Sequence, residues 1–352
     1  MNTLITPPNL PVYNEDGTFF LTGNSGRDGN DIHNQIWYLH NQEFRNRSVS
    51  AMGSIFGELK IFDWLKYRLT YTYSYARNND ASIVPEYDLG TTNGRQAYNS
   101  QTLTYGGSGH EVIENLLTFD KTFNEVHSLS GVLGMVSEKF DGWSTGVLGR
   151  SNEYSGFGIA TRYPDNQIVT GSQYNEAYFS YLARVMYSYN SKYMITANFR
   201  ADESSKFIDG NRWGYFPSAS LAWRMEQEDF IKDNVHWLDQ FKVRVGYGQT
   251  GNSAIDPYSS FSNYSQIIDY ANAVGDKVLA MAVDKLQNEG LTWETTESWN
   301  VGVDFGVLKN RLRGSFDFYN KETRDLLISR VLPPSAGFPS IYYNSGNLLN
   351  RG

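Results

Sequence analysis

The sequence predicts an all-β fold, and within that class part of a transmembrane antiparallel β-barrel, roughly 10–11 strands of it. Two patterns predict this: long stretches in which apolar and polar residues alternate one by one, and links between them that are short and long in turn. The composition agrees. Aromatic residues make up 15% of the 352 residues, yet the mean hydropathy is −0.48. Many aromatics in a polar chain fit β structure with one wet face.

Ten strands follow from the alternation. They are placed at 51–62, 65–77, 110–122, 126–138, 177–189, 192–203, 213–224, 238–249, 291–306 and 311–323. In the second, Tyr67, Leu69, Tyr71, Tyr73 and Tyr75 oppose Arg68, Thr70, Thr72 and Ser74. In the third, Ile113, Leu117 and Phe119 oppose Glu114, Thr118 and Asp120. The fifth sets Phe179, Tyr181, Ala183, Val185, Tyr187 and Tyr189 against Ser180, Arg184 and Ser188. The sixth sets Tyr193, Ile195, Ala197, Phe199 and Ala201 against Thr196, Asn198, Arg200 and Asp202. Near the end, Trp299, Val301, Val303 and Phe305 oppose Asn300, Gly302 and Asp304. Phe316 and Phe318 oppose Arg313, Asp317 and Lys321.

Alternation suits a soluble sandwich equally well, so length decides. These segments run to about 10–14 residues, whereas globular strands have about 5–6. A tilted strand needs roughly 9–11 residues to cross a bilayer. Short links fall at Asp63-Trp64, Phe123-Asn124-Glu125, Asn190-Ser191 and Leu308-Lys309-Asn310. Long ones fall at 78–109, 139–176, 204–212 and 250–290. Outer-membrane barrels alternate in this way, with short periplasmic turns and long outer loops. The link 225–237 is of middle length, and Met225–Ile231 predicts a short helix there. Residues 1–50 read as an outer-loop-like segment and 51–352 as the partial barrel.

There is no Cys, so disulfides and thiolate metal sites are excluded. The net charge is −8 with no basic run, which argues against nucleic acid as a partner. No stretch approaches the roughly 20 apolar residues of a spanning helix. The first residues, Met1-Asn2-Thr3-Leu4-Ile5-Thr6-Pro7, have no basic n-region and no long apolar run. The expectation is a fragment that lacks a signal peptide, a plug and the closing C-terminal strands.

Several blocks resemble the SusC/RagA family of TonB-linked outer-membrane proteins. One runs from Asn190-Ser191-Lys192-Tyr193 through Arg200-Ala201-Asp202-Glu203-Ser204-Ser205-Lys206-Phe207, with Glu203 where the family usually has Gly. Others are Asn211-Arg212-Trp213-Gly214-Tyr215-Phe216-Pro217 and Val243-Arg244-Val245-Gly246-Tyr247-Gly248-Gln249-Thr250-Gly251-Asn252. A fourth spans Leu291-Thr292-Trp293-Glu294 to Phe318-Tyr319-Asn320-Lys321, and a fifth is Asn344-Ser345-Gly346-Asn347-Leu348-Leu349. Order and spacing agree from about residue 180 onward. The resemblance implies a plugged barrel of about 22 strands in the outer membrane, in contact with its lipids. It implies active uptake of a glycan or peptide, with a SusD-like surface lipoprotein as lid. Energy would come from TonB–ExbB–ExbD through the missing N-terminal part. It implies no cofactor and no enzymatic activity.

His33 and His40 lack a third ligand at useful spacing and read as surface histidines. The carboxylate pairs Glu111/Glu114 and Asp202/Glu203 differ in parity, so each pair diverges across a strand and does not form a glycosidase dyad. Gly106-Gly107-Ser108-Gly109 reads as a loop. No catalytic, cofactor or metal residues are assigned. Trp143, Trp213, Trp223, Trp293 and Trp299 read as interfacial girdle residues. Tyr154, Phe157, Tyr163 and Tyr174 lie in the link 139–176 and are candidates for contact with substrate or lid. Arg68, Arg184, Arg200, Arg244 and Arg313 sit on polar faces. In lipid each would cost roughly 2–4 kcal/mol at the midplane, so they are expected to face the lumen. A passive porin and a soluble β-rich carbohydrate-binding protein are the alternative functions.

Overall fold

The computed structural model describes residues 11–20, 34–88, 95–153, 156–271, 277–338 and 340–352. Eleven strands form one antiparallel sheet. They are β1 (Glu43–Phe62), β2 (Leu65–Val84), β3 (Asn99–Phe123), β4 (His127–Ser151), β5 (Asp165–Tyr189), β6 (Tyr193–Ser204), β7 (Trp213–Arg224), β8 (Leu238–Asn252), β9 (Glu294–Val307), β10 (Leu312–Arg324) and β11 (Asn347–Arg351). Each lies beside its neighbour in sequence, so the sheet is a simple meander with β1 and β11 at its edges. Three small hairpins, Tyr87–Asp88 with Arg95–Gln96, Asn263–Ala271 with Lys277–Lys285 and Leu327–Val331 with Ser340–Asn344, are inserted in the long links. A short helix, α1 (Gln35–Asn41), precedes β1. No helix among the described residues is long and apolar enough to cross a membrane, which has no bearing on crossing by strands.

All ten predicted strands are present, and β7 has the predicted bounds. The first five are longer than predicted, mostly at the long-link ends. β3, β4 and β5 each have 25 residues. The segment taken as a loop at Gly106-Gly107-Ser108-Gly109 is inside β3. Gly107 is needed there because a Cβ would come within 2.9 Å of the Trp143 indole nitrogen.

The tight turns follow from their residues. Asn124 and Glu125 have φ of 48° and 62°, and Asn190 and Ser191 have 46° and 53°. Two successive left-handed residues match the twist of the flanking strands, and Asn tolerates that conformation better than most residues. The link 225–237 folds as the 3-10 turn Met225–Gln227 followed by α2 (Asp229–Lys232). Glu228 anchors it, accepting hydrogen bonds from the Tyr193 hydroxyl at 2.6 Å and the Trp223 indole N–H at 3.0 Å. Those two bonds, joined by the Lys192 ammonium, hold the Glu228 carboxyl below its ordinary range.

The chain divides into two compact units. One comprises Met1–Met52, Ser74–His110 and Asp141–Tyr174, and includes the long-link ends of β1 to β5. Its buried residues include Ile83, Gln101 and Tyr163. The other comprises Gly53–Tyr73, Glu111–Phe140 and Asn175–Gly352. Among the described residues its buried apolar cluster is not within the sheet. It is a miniature core of Phe207, Ile255 and Leu291, backed by Trp293, Leu327 and Tyr342, all from links or strand ends. Side-chain amides stitch these links together: Asn211 to the Glu289 carbonyl, Asn288 to the Tyr342 carbonyl and Asn344 to the Thr292 carbonyl, all within 2.9 Å.

Candidate functional site

The registers of β5 to β10 sort side chains onto two faces. Arg184 pairs with Asn198, Asn198 with Ser218, Ser218 with Gly248, Gly248 with Ser298 and Ser298 with Lys321. Directly paired residues lie on one side of a sheet. Arg184, Arg200, Arg244 and Arg313 therefore share one polar face, as their parity predicts. Arg68 is on the face of β2 that carries Thr72, which is hydrogen-bonded to Ser54, and its guanidinium lies 4.0 Å over the Phe56 ring. The opposite face of β5 to β10 carries Tyr181, Ile195, Phe199, Tyr215, Leu221, Val245, Val301 and Phe318, all exposed. An apolar face left this open in a folded sheet requires a nonaqueous neighbour.

Aromatic residues gather towards the ends of that apolar face. Tyr189, Tyr193 and Trp223 form a stacked ladder at the tight-turn end. Tyr181 stacks on Trp213 at the other. Trp213 and Trp223 therefore lie at opposite ends of the apolar face, and Trp299 is exposed on that face, paired with Tyr247. Contrary to expectation, Trp293 lies in the miniature core, tilted against Phe207, with its indole N–H donating to the Arg212 carbonyl at 2.8 Å. Trp143 belongs to the other unit, where it covers Gly107. A Trp beside a strand end looks the same in sequence whether it meets lipid or a loop core.

On the polar face a cavity of about 800 Å³ opens between β4 to β8 and the links above them. Arg184 and Arg200 line it together with Ser180, Asn198, Asp202, Lys206, Phe216 and Trp293. Its polar groups are pre-oriented. The Arg184 Nε donates to Asn198 Oδ1 at 2.6 Å, and Asn198 Nδ2 donates to Ser218 Oγ at 3.0 Å. The Arg200 Nε donates to both Asp202 oxygens, at 2.7 and 2.8 Å. The Lys206 ammonium is 3.1 Å from Glu176 and nearly buried. Burial opposes its charge, but bonds to the Tyr178 phenol and the Glu176 carboxylate outweigh that and hold the proton above the ordinary lysine range. Phe216 lines the cavity, packed edge-on to Trp293, with its ring tip against Gly251, where a Cβ would collide with it.

Arg244 and Arg313 are not among the residues lining that cavity. Arg244 bridges Asp304 at 2.9 Å and Asp317 at 3.0 Å, tying β8, β9 and β10 together. Parity put the arginines on one face but could not foretell the company of Lys206, Glu176, Phe216 and Trp293. The run Ser204-Ser205-Lys206-Phe207 was the available signal, since it follows Arg200 and Asp202 directly.

The outer aromatics are dispersed. Tyr154 lies outside the described residues. Phe157 is covered by the Arg45 guanidinium at 3.8 Å. Tyr163 is wholly buried, its hydroxyl donating to the Gly156 carbonyl at 2.9 Å. Tyr174 is not in a loop but within β5, and remains exposed. The link 139–176 is mostly strand because β4 and β5 continue through it. Among the described residues no group of three or more His, Asp or Glu is placed to hold a metal ion.

Comparison with known proteins accounts for this arrangement. The family model for the TonB dependent receptor-like beta-barrel matches residues 4–352. TonB-dependent receptor P3 of Formosa agariphila is 30% identical over 349 residues, covering 98% of this chain and 34% of that protein. TonB-dependent receptor SusC of Bacteroides thetaiotaomicron is 40% identical over 176 residues, or 49% of this chain and 17% of that one. The solved structure of the RagAB peptide transporter matches in fold with a TM-score of 0.82 at 20% identity, covering 96% of this chain and 37% of that one. This chain spans about a third of the length of the curated relatives that it matches along nearly its whole length. With its two-faced meander and these likenesses, the chain belongs to the TonB-dependent receptor β-barrel family of the outer membrane, in its SusC/RagA branch, a family of receptors and transporters and not of enzymes.

Proposed function

We propose that this chain is the lumen-enclosing part of an active importer of oligosaccharides or peptides. The polar face with Arg68, Arg184, Arg200, Arg244 and Arg313 lines the lumen, and the apolar face meets outer-membrane lipid. Residues 1–50 would belong to the outer side of the protein and 51–352 to the barrel. The longer protein would couple to TonB–ExbB–ExbD through its N-terminal part and carry a SusD-like lipoprotein as lid. Among the described outer aromatics, Tyr174 is exposed and would touch ligand or lid.

The observation that carries this reading is the separation of faces over β5 to β10: salt-bridged arginines on one, open aliphatic and aromatic side chains on the other. Lipid and a hydrated interior would require this. The family's energy coupling favours active import over a passive pore.

The test is uptake of labelled oligosaccharides and peptides by cells with and without the gene. Import that depends on the gene and stops when a protonophore collapses the proton gradient is expected. Gene-dependent entry that continues after collapse would establish the passive porin instead.

A further inference from the structure

We infer that the cavity beneath the miniature core is an anion-recognition site, which receives a carboxylate or sulfate group carried by the imported ligand. The inference rests on the import reading and adds a ligand chemistry to it.

Arg184 and Arg200 are the argument. Both belong to the polar face, and they are diagonal neighbours, because Arg184 pairs with Asn198 and Arg200 stands two residues further along β6. Diagonal neighbours across a strand pair are about 7–8 Å apart, which long arginine side chains can close onto one planar group. Each is tethered chiefly through Nε, Arg184 to Asn198 and Arg200 to Asp202. This fixes the guanidinium planes and leaves the paired Nη edges to other partners. The further bond recorded there is a long one of 3.4 Å from Arg200 to Ser180. Two N–H groups from one guanidinium form the fork that matches an oxoanion.

The charges of the lining balance, with three cations, Arg184, Arg200 and Lys206, and three carboxylates, Glu138, Glu176 and Asp202. Glu176 is paired with Lys206 at 3.1 Å and Asp202 with Arg200 at 2.7 Å, while the Arg184 Nε donates to the neutral amide of Asn198. The two guanidinium forks, and not a net charge, select an oxoanion. The volume of about 800 Å³ accommodates a few sugar or amino-acid units.

The test uses the complete transporter containing this segment, purified in detergent. It is titrated by calorimetry at fixed ionic strength with trigalacturonate and, in parallel, with the neutral maltotriose. Trigalacturonate is expected to bind more tightly than maltotriose. Arg184→Gln and Arg200→Gln together should weaken it roughly ten- to hundredfold, the range for losing charge-assisted hydrogen bonds, and leave maltotriose unchanged. Equal affinity for the two sugars, failure of trigalacturonate to bind the wild type, or an affinity untouched by the double substitution would each overturn the assignment. If the double variant lowers the melting temperature of the ligand-free transporter and spares trigalacturonate binding, the arginines grip the protein's own plug and the proposal fails. None of these outcomes affects the protonophore test, so the import reading stands or falls separately.

Discussion

A lysine placed on each face of the sheet in turn measures where the membrane lies. Along β8, Tyr247 is exposed near one end of the apolar face and Trp237 is exposed at the foot of the strand. They are about ten residues apart, which at roughly 3.4 Å per residue is about 34 Å of strand. A tilt near 45° reduces this to about 24 Å of height, close to the apolar band of about 25 Å in such barrels. Val245 falls inside that band and is exposed on the apolar face, paired with Leu221 on one side and Val301 on the other. Val245→Lys therefore puts an ammonium within the apolar band, at a cost of up to roughly 2–4 kcal/mol. That is a loss of up to about 30- to 1,000-fold in the folding equilibrium. Ser220→Lys is the control. Ser220 pairs with Gly246 on the polar face and is exposed, so its substitution should fall within about 0.5 kcal/mol of the wild type. The assay is guanidinium-induced unfolding of the complete transporter in lipid vesicles, followed by tryptophan fluorescence. If Val245→Lys is neutral, or if Ser220→Lys costs as much, the assignment of faces is wrong.

Three further outcomes are expected. Arg244→Leu strands Asp304 beside Asp317, costing about 1–3 kcal/mol, and a second change, Asp317→Asn, should recover part of the loss in the same unfolding assay. Phe207→Ala empties the middle of the miniature core, where the cost for a buried Phe is about 3–5 kcal/mol; hydrogen exchange should speed up in residues 286–293 and not in β9. Glu228 is held below its ordinary range, so its contribution to stability is fully present above the unfolded carboxyl's pKa and is lost as pH falls through the lower folded value. A melting curve of wild type against Glu228→Gln should therefore show a gap at neutral pH that narrows in acid, and a gap that widened in acid would contradict the sign.

The sheet was legible where the membrane imposes a pattern. From Phe179 to Tyr189 the polar and apolar faces of the sheet make opposite demands on successive residues, and the sequence alternates accordingly. From Asp165 to Asn175 the same strand reads Asp-Asn-Gln-Ile-Val-Thr-Gly-Ser-Gln-Tyr-Asn. No parity is imposed there, because both faces tolerate polar groups once outside lipid, so the strand continues with no periodic sign of it. The arginines of the site were legible for the first reason. The partners that make it a cavity were not, because Lys206, Trp293 and Phe216 are brought together by links packing over long sequence distances. Alternation carries no information about such packing, and Trp293 was accordingly assigned to the girdle and Tyr163 to an open loop.

The tight turns bear on how long the protein survives in the cell. A protease cuts chain that it can draw into an extended stretch within its cleft, and exposed, loosely held loop tips supply such stretches. The turns at Asn124-Glu125, Asn190-Ser191 and Leu308-Lys309-Asn310 supply none, since paired strand resumes within a few residues on either side. The longer link 225–237 at the same end is wound into helical turns and pinned by Glu228. Degradation from that side must wait for the strands themselves to separate, so the lifetime of the folded protein there is set by its rate of unfolding.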